Sequence, residues 1–116
     1  MLTKEQLLAR RESLPIEVSV EGWPDTVLLR QPTFQEWHGL VAAMQGCVEA
    51  GGFPSAELTV KTLGICVATP AGDRLLTDME AQALLRSNPA AVQNLFRKCW
   101  DTVLKIEGKV EAAEKN

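Results

Sequence analysis

The chain has 116 residues, of which 46% are hydrophobic and 23% are charged, a size and composition that suit one globular domain burying roughly two-thirds of its unfolded surface. Its 12 Lys and Arg residues against 15 Asp and Glu give a formal net charge of -3, so no general positive field attracts phosphates, and nucleic acid is disfavoured as the main partner. The first residues lack the layout of a secretory signal, and no apolar run approaches the roughly 20 residues that a membrane span needs. We therefore expect a protein of the cytosol that is not inserted in a membrane.

The first 30 residues predict a short helix followed by a β-hairpin. Thr3 and Gln6 match a reciprocal capping pattern, which opens a helix that runs to about Ser13. Pro15 stops this helix, because proline disfavours helical geometry in the residue before it. Residues 16–20 then alternate apolar and polar side chains, and residues 26–30 offer a second strand, so the loop between them is predicted to be a hairpin loop.

The middle of the chain predicts two helices and a turn. Thr33 and Glu36 form a second capping box, which opens a helix that ends at the Gly51 and Gly52 pair. This helix carries an apolar stripe at spacings of three and four residues, made of Trp37, Leu40, Val41, Met44 and Val48. Ser55 is the predicted N-cap of the next helix, and residues 58–67 are apolar on all sides, which predicts a central position. A turn over residues 69–74 follows.

The last third predicts two more helices. Thr77 and Glu80 cap a helix to about Arg86, and Asn88 with Pro89 opens a helix to about Glu107. One face of this last helix carries Val92, Leu95, Phe96, Cys99, Val103 and Ile106, and Trp100 and Leu104 widen that face. An apolar face of this width exceeds what one core contact uses, so part of it is expected to meet a partner. The helix is predicted to stop at Gly108.

These elements predict a mainly α (α+β) fold, with about five helices and a small N-terminal β-hairpin. We expect a single domain over residues 1–108 and a flexible charged tail over residues 109–116.

The sequence indicates no catalytic, metal-binding or cofactor-binding residues. The only histidine, His38, has no partner at a spacing that would form a nucleophile and base pair. The fold could still bring a thiol from Cys47 or Cys66 to His38, and this alternative stays open. Together with Cys99, the thiols are odd in number and include no CxxC pair, so they predict small buried side chains and not disulfides or zinc ligands.

The order of these elements resembles the tail assembly chaperones of long-tailed bacteriophages and related prophages. The resemblance spans nearly the whole chain and rests on patterns of capping, turns and apolar faces. The segments that carry the resemblance are the N-terminal helix over residues 2–8, the Val-rich hairpin, the helix capped by Thr33, the segment from Cys66 through the turn to Asp78, the helix from Pro89 and the ending at residues 113–116.

This resemblance implies a non-enzymatic factor in the cytoplasm of a bacterial host. Such a factor binds the tape measure protein, a long helical rod, and helps to recruit tail tube protein subunits during virion assembly. It also implies possible homo-oligomers, and a longer form made by a -1 ribosomal frameshift, for which the ending at residues 114–116 is suitable.

Three side chains are candidates for contact with the partner, namely Trp23 in the hairpin loop and Trp100 and Leu104 on the last helix. The alternative for each is ordinary core packing. Two other functions stay open for the chain. It could be a small structural virion protein, such as a connector or tail subunit, or a nucleic-acid-binding regulator that uses the basic residues Arg10, Arg11, Arg97 and Lys98.

Overall fold

The computed structural model describes residues 1–8 and 14–105. Over these residues the chain forms five α-helices, one 3-10 helix and a two-stranded antiparallel hairpin. In chain order they are α1 (Lys4–Leu8), β1 (Ile16–Val18), β2 (Val27–Leu29), α2 (Phe34–Glu49), α3 (Ala56–Cys66), α4 (Asp78–Ala83), the 3-10 helix (Leu84–Arg86) and α5 (Pro89–Thr102). The predicted mainly α fold with a small N-terminal hairpin is confirmed.

The predicted capping residues lie at the starts of all five α-helices of the described residues, and the reciprocal pair of Thr3 and Gln6 precedes α1. Thr33 accepts a hydrogen bond from the Glu36 amide at 3.2 Å, and the Glu36 carboxylate accepts one from the Thr33 amide at 2.9 Å. Thr77 and Glu80 repeat this reciprocal pair before α4, at 3.1 and 2.9 Å. Each pair satisfies amides that a helix start leaves without a partner. Two further helices begin at single caps, at Ser55 and Asn88.

The hairpin is shorter than predicted and gains a neighbour that the sequence did not indicate. Its strands pair over three residues each, with Ile16 opposite Leu29. Beyond α3 the chain turns extended and runs antiparallel to β2, where the Ala68 amide donates to the Leu28 carbonyl at 2.8 Å and the Arg30 amide donates to the Cys66 carbonyl at 2.8 Å. This pairing fixes the C-terminal end of α3 against the hairpin.

Helix α3 lies at the centre of the core, as its apolar composition predicted. Seven of its eleven residues are buried, because α2, α4 and α5 pack against it. The core around it takes fully buried side chains from β2, α2, α3 and α5, which include Leu29, Leu40, Leu63, Cys66 and Cys99.

Two arginines distant in sequence complete the C-terminal end of α3. The last turn of this helix contains no basic residue. The Arg74 guanidinium donates to the Gly64 carbonyl at 2.6 Å, and the Arg30 guanidinium donates to the Ile65 carbonyl. Positive charge and hydrogen-bond donors at this end stabilise a helix, since its last carbonyls carry partial negative charge and have no partner within the helix.

Arg30 also bridges to the start of α2. Its guanidinium lies 3.1 Å from the Glu36 carboxylate. Burial alone would raise the pKa of Glu36, but the hydrogen bond from the Thr33 amide and the charge of Arg30 outweigh burial, so the pKa lies below the ordinary carboxyl value. One arginine thus connects β2 to the ends of two helices.

Two predictions about helix ends and faces were wrong. Helix α5 ends at Thr102 and not near Glu107, because the chain turns inward there and the Val103 and Leu104 amides both donate to the Cys99 carbonyl. Val48, predicted as part of the core stripe of α2, is 60% exposed. The predicted ends at Ser13 and Gly108, the basic pair Arg10 and Arg11, and the tail over residues 109–116 lie outside the described residues.

Candidate binding groove

An open apolar groove of about 720 Å³ lies along one side of α5. Its walls come from α5, the end of α2, the loop before α3, the start of α3 and the 3-10 helix. Phe96 forms part of its floor and is 7% exposed, whereas Phe53 and Leu85 stand on its rim and are 88% and 50% exposed. We call this surface the α5 groove.

The groove follows from the wide apolar face of α5. Val92, Phe96 and Trp100 are spaced four residues apart, which places them along one side of a helix, and all three line the groove. Leu95 and Cys99 are 4% and 0% exposed and belong to the core, outside the groove lining. One helix therefore contributes to both the core and an open surface.

The groove lining contains few polar side chains, and the charge that it carries is positive. Within the described residues, Arg97 is the charged side chain of the lining, and no Asp or Glu contributes to it. Arg86 lies between Leu85 and Ser87, which both line the groove. The ion pairs found among the described residues are Arg30 with Glu36 and Arg74 with Asp78, so they do not involve Arg86 or Arg97.

The structure places the three predicted contact residues in three different settings. Trp100 lines the α5 groove. Trp23 is half-buried and packs against the core, with its indole N–H donating to the Ala91 carbonyl at 2.8 Å. Leu104 is 3% exposed and belongs to the core. The expectation of a contact surface at Leu104 was wrong, because the chain turns inward after Thr102.

The tryptophans also differ in the hydrogen bonding of their indole N–H groups. Trp37 donates to the Leu104 carbonyl at 2.9 Å. Trp23 and Trp37 therefore hold the chain close to the two ends of α5. The Trp100 N–H is buried and has no acceptor among the described residues, an arrangement that costs free energy. Its ring packs against Phe96 with a centroid distance of 6.1 Å.

Sequence reasoning missed the rim residues of the groove. Phe53 lies in the Gly-Gly-Phe-Pro loop, where a large aromatic side chain has little neighbouring chain to cover it. The position of Phe53 in this loop was the signal from which its exposure could have been predicted. The sequence around Leu85 gave no such signal, because leucines near helix ends occur in protein cores as well as on exposed surfaces.

The chemistry of the remaining candidate groups is limited. His38 is exposed and stacks near Phe34, with ring centroids 5.9 Å apart. Cys66 and Cys99 are buried, and the hydrogen bond of the Cys99 thiol with Cys66, together with burial, raises the pKa of that thiol. A thiol in that setting stays protonated at neutral pH and is a poor nucleophile.

The described residues form neither a metal-binding cluster nor a membrane-spanning helix. Across residues 1–8 and 14–105, no group of three or more His, Cys, Asp or Glu side chains is placed to hold a metal ion. In the same part of the chain, every helix is too short or too polar to cross a bilayer.

Comparisons of the chain with protein-family models, curated proteins and solved structures found no match. The resemblance to tail assembly chaperones therefore stays a prediction.

Proposed function

We propose that this protein is a non-enzymatic tail assembly chaperone of a long-tailed bacteriophage or prophage. In this proposal it acts in the cytoplasm of the bacterial host, where an amphipathic helix of the tape measure protein binds in the α5 groove and tail tube protein subunits are then recruited. The open apolar groove is the observation that carries the proposal. The resemblance described above supplies the identity of the partner.

The apolar lining of the groove is suitable for an amphipathic helix. Amphipathic helices bind in apolar grooves through side chains spaced three, four and seven residues apart. Met44, Phe96 and Trp100 provide an apolar lining, and Phe53 and Leu85 remain exposed on the rim. Exposed aromatic and aliphatic groups that surround a concave surface are typical of sites for protein partners.

The proposal is tested by co-expression of the chain with the tape measure protein of the same phage or prophage. We expect the two to co-purify, and the variant Leu85→Asp to reduce the captured amount at least about tenfold, because a buried unpaired carboxylate opposes binding. Phe34→Asp is the matched control, since Phe34 is 75% exposed and lies outside the groove lining. Circular dichroism verifies that both variants are folded.

Two results would contradict this function. Equal capture by Leu85→Asp and the unsubstituted chain would exclude the groove as the binding site. Stoichiometric presence of the chain in purified virions, measured by mass spectrometry, would favour a structural virion protein, because an assembly chaperone leaves the finished tail.

A further inference from the structure

We infer that the helix bound by the α5 groove carries carboxylates along the edges of its apolar face, so that the partner segment is an acidic amphipathic helix. This inference rests on the proposed function and specifies the chemistry of the partner. It starts from the uneven distribution of charge around the groove. The chain as a whole has a net charge of -3, but the charge at this surface is positive.

The positive charge comes from Arg97, which lines the groove, and from Arg86, which is adjacent in sequence to the lining residues Leu85 and Ser87. Arg97 lies on α5 and is exposed, and Arg86 lies on the 3-10 helix and is also exposed. Asp101 follows Arg97 by four residues, yet it does not line the groove and forms no ion pair with Arg97 within the described residues. Within residues 1–8 and 14–105, no carboxylate forms an ion pair with either guanidinium group.

Arginine suits this role better than lysine would. Its planar guanidinium accommodates a carboxylate through two parallel hydrogen bonds, and its weaker hydration reduces the cost of placing it next to apolar side chains. Opposite charges around an apolar contact contribute mainly to the choice of partner and to the rate of association. Lysines at the same positions of a partner helix would be repelled by Arg86 and Arg97, and this repulsion adds to the discrimination.

The charge of the groove also argues against the N-terminal helix of a second copy as the occupant. Helix α1 exposes the apolar side chains Leu7 and Leu8, but the segment around it contributes Lys4, Arg10 and Arg11 against Glu5 and Glu12. Its net charge has the same sign as that of Arg86 and Arg97. Nucleic acid is negatively charged, opposite to these arginines, but the apolar lining offers few contacts for its phosphates.

The inference is tested with two synthetic helical peptides of about 18 residues, a length that gives about five helical turns. Both carry the same Leu and Ala stripe, which is flanked by Glu in one peptide and by Lys in the other. Binding to the full chain is measured by fluorescence anisotropy at low and at high salt. The variants are Arg97→Glu and, as the matched control, Lys61→Glu, because Lys61 is exposed and lines a different surface depression between α3 and α4.

We expect the Glu-flanked peptide to bind about tenfold more tightly than the Lys-flanked peptide, which corresponds to about 1.4 kcal/mol. Arg97→Glu should remove or invert this preference, and Lys61→Glu should keep it. High salt should reduce the preference, since exposed charges are screened. A preference that persists unchanged in Arg97→Glu would overturn the inference.

The remaining outcomes separate the inference from the function on which it rests. Equal binding of both peptides, abolished for both by Leu85→Asp, would overturn the acidic partner and leave the helix-binding groove intact. Failure of both peptides to bind, or binding that is indifferent to Leu85→Asp, would overturn the groove together with the inference. Competition by an 18-nucleotide oligothymidine that requires Arg97 would replace the acidic helix with nucleic acid.

Discussion

At the scale of single residues, the three tryptophans make different contributions to stability. Trp23 and Trp37 each donate an indole hydrogen bond to a backbone carbonyl near one end of α5, at Ala91 and Leu104. Trp100 keeps a buried N–H without an acceptor among the described residues. A buried donor without a partner costs about 1–3 kcal/mol, and a formed hydrogen bond contributes about 1 kcal/mol.

Substitution by phenylalanine should distinguish these roles. Trp23→Phe and Trp37→Phe should each lower the free energy of unfolding by about 1 kcal/mol or more, since each removes a hydrogen bond. Trp100→Phe keeps an aromatic ring and removes the unpaired donor, so it should cost less or stabilise the protein. Urea unfolding followed by circular dichroism measures all three. A loss for Trp100→Phe as large as the other two would contradict this distinction.

Among the secondary-structure elements, two glycines differ in whether the fold requires them. Gly22 allows the hairpin loop to approach α5 closely, whereas Gly46 only lowers the helix propensity of α2. Gly22 has a φ of 97°, and a Cβ placed there would lie 3.1 Å from the Ala91 Cβ, so the hairpin loop and the start of α5 meet at this point. Gly46 lies inside α2, and a Cβ added there would have no neighbour within 4 Å.

Replacement of each glycine by alanine should therefore act in opposite directions. Gly22→Ala should destabilise the protein by at least about 1–2 kcal/mol, because the left-handed backbone disfavours a side chain and the contact with Ala91 adds to that cost. Gly46→Ala should stabilise the protein by about 0.5–1 kcal/mol through helix propensity. Thermal unfolding measures both. A neutral Gly22→Ala would mean that the hairpin loop moves away from α5 at little cost.

The helix starts could be predicted because their signals are local. Thr33, Ser55, Thr77 and Asn88 each bond to amides within three residues, so a short stretch of sequence contains both partners. The pairing of Val67 with Leu29 could not be predicted in the same way, since it joins segments far apart in sequence. The same reason explains why the two arginines at the end of α3 were missed.

Only part of the candidate site could be predicted. Trp100 was identified because its position widens the apolar face of α5, which is a property of helical spacing. Leu104 was assigned to the same face on the assumption that α5 continues, but the helix ends at Thr102 and the next residues turn into the core. Exposure at Phe53 and Leu85 depends on how neighbouring elements pack, and spacing along one helix does not contain that information.

At the scale of the whole molecule, helix α1 stands apart from the core. It contains no buried residue, and its hydrogen bonds with side chains are local ones between Thr3 and Gln6. The apolar side chains Leu7 and Leu8 are 62% and 71% exposed. The stability of the rest of the fold therefore does not depend on this helix.

Deletion of residues 1–8 should change the free energy of unfolding by less than about 0.5 kcal/mol, the range typical of surface changes. Urea unfolding of the full and shortened chains measures this difference. The substitution Leu40→Ala provides the contrast, since Leu40 is 0% exposed and a buried leucine typically contributes about 2–5 kcal/mol. A loss above about 1 kcal/mol on deletion would show that α1 docks on the domain.

The indole hydrogen bonds of Trp23 and Trp37 near the two ends of α5 have a consequence for how the α5 groove would bind a partner. The helix is secured at its beginning and beyond its end by side chains from two other elements, so the surface between these points has its shape before any partner arrives. The loss of conformational freedom during complex formation then falls mainly on the incoming polypeptide. In the proposed function, a partner helix would then enter the α5 groove without any refolding of α5.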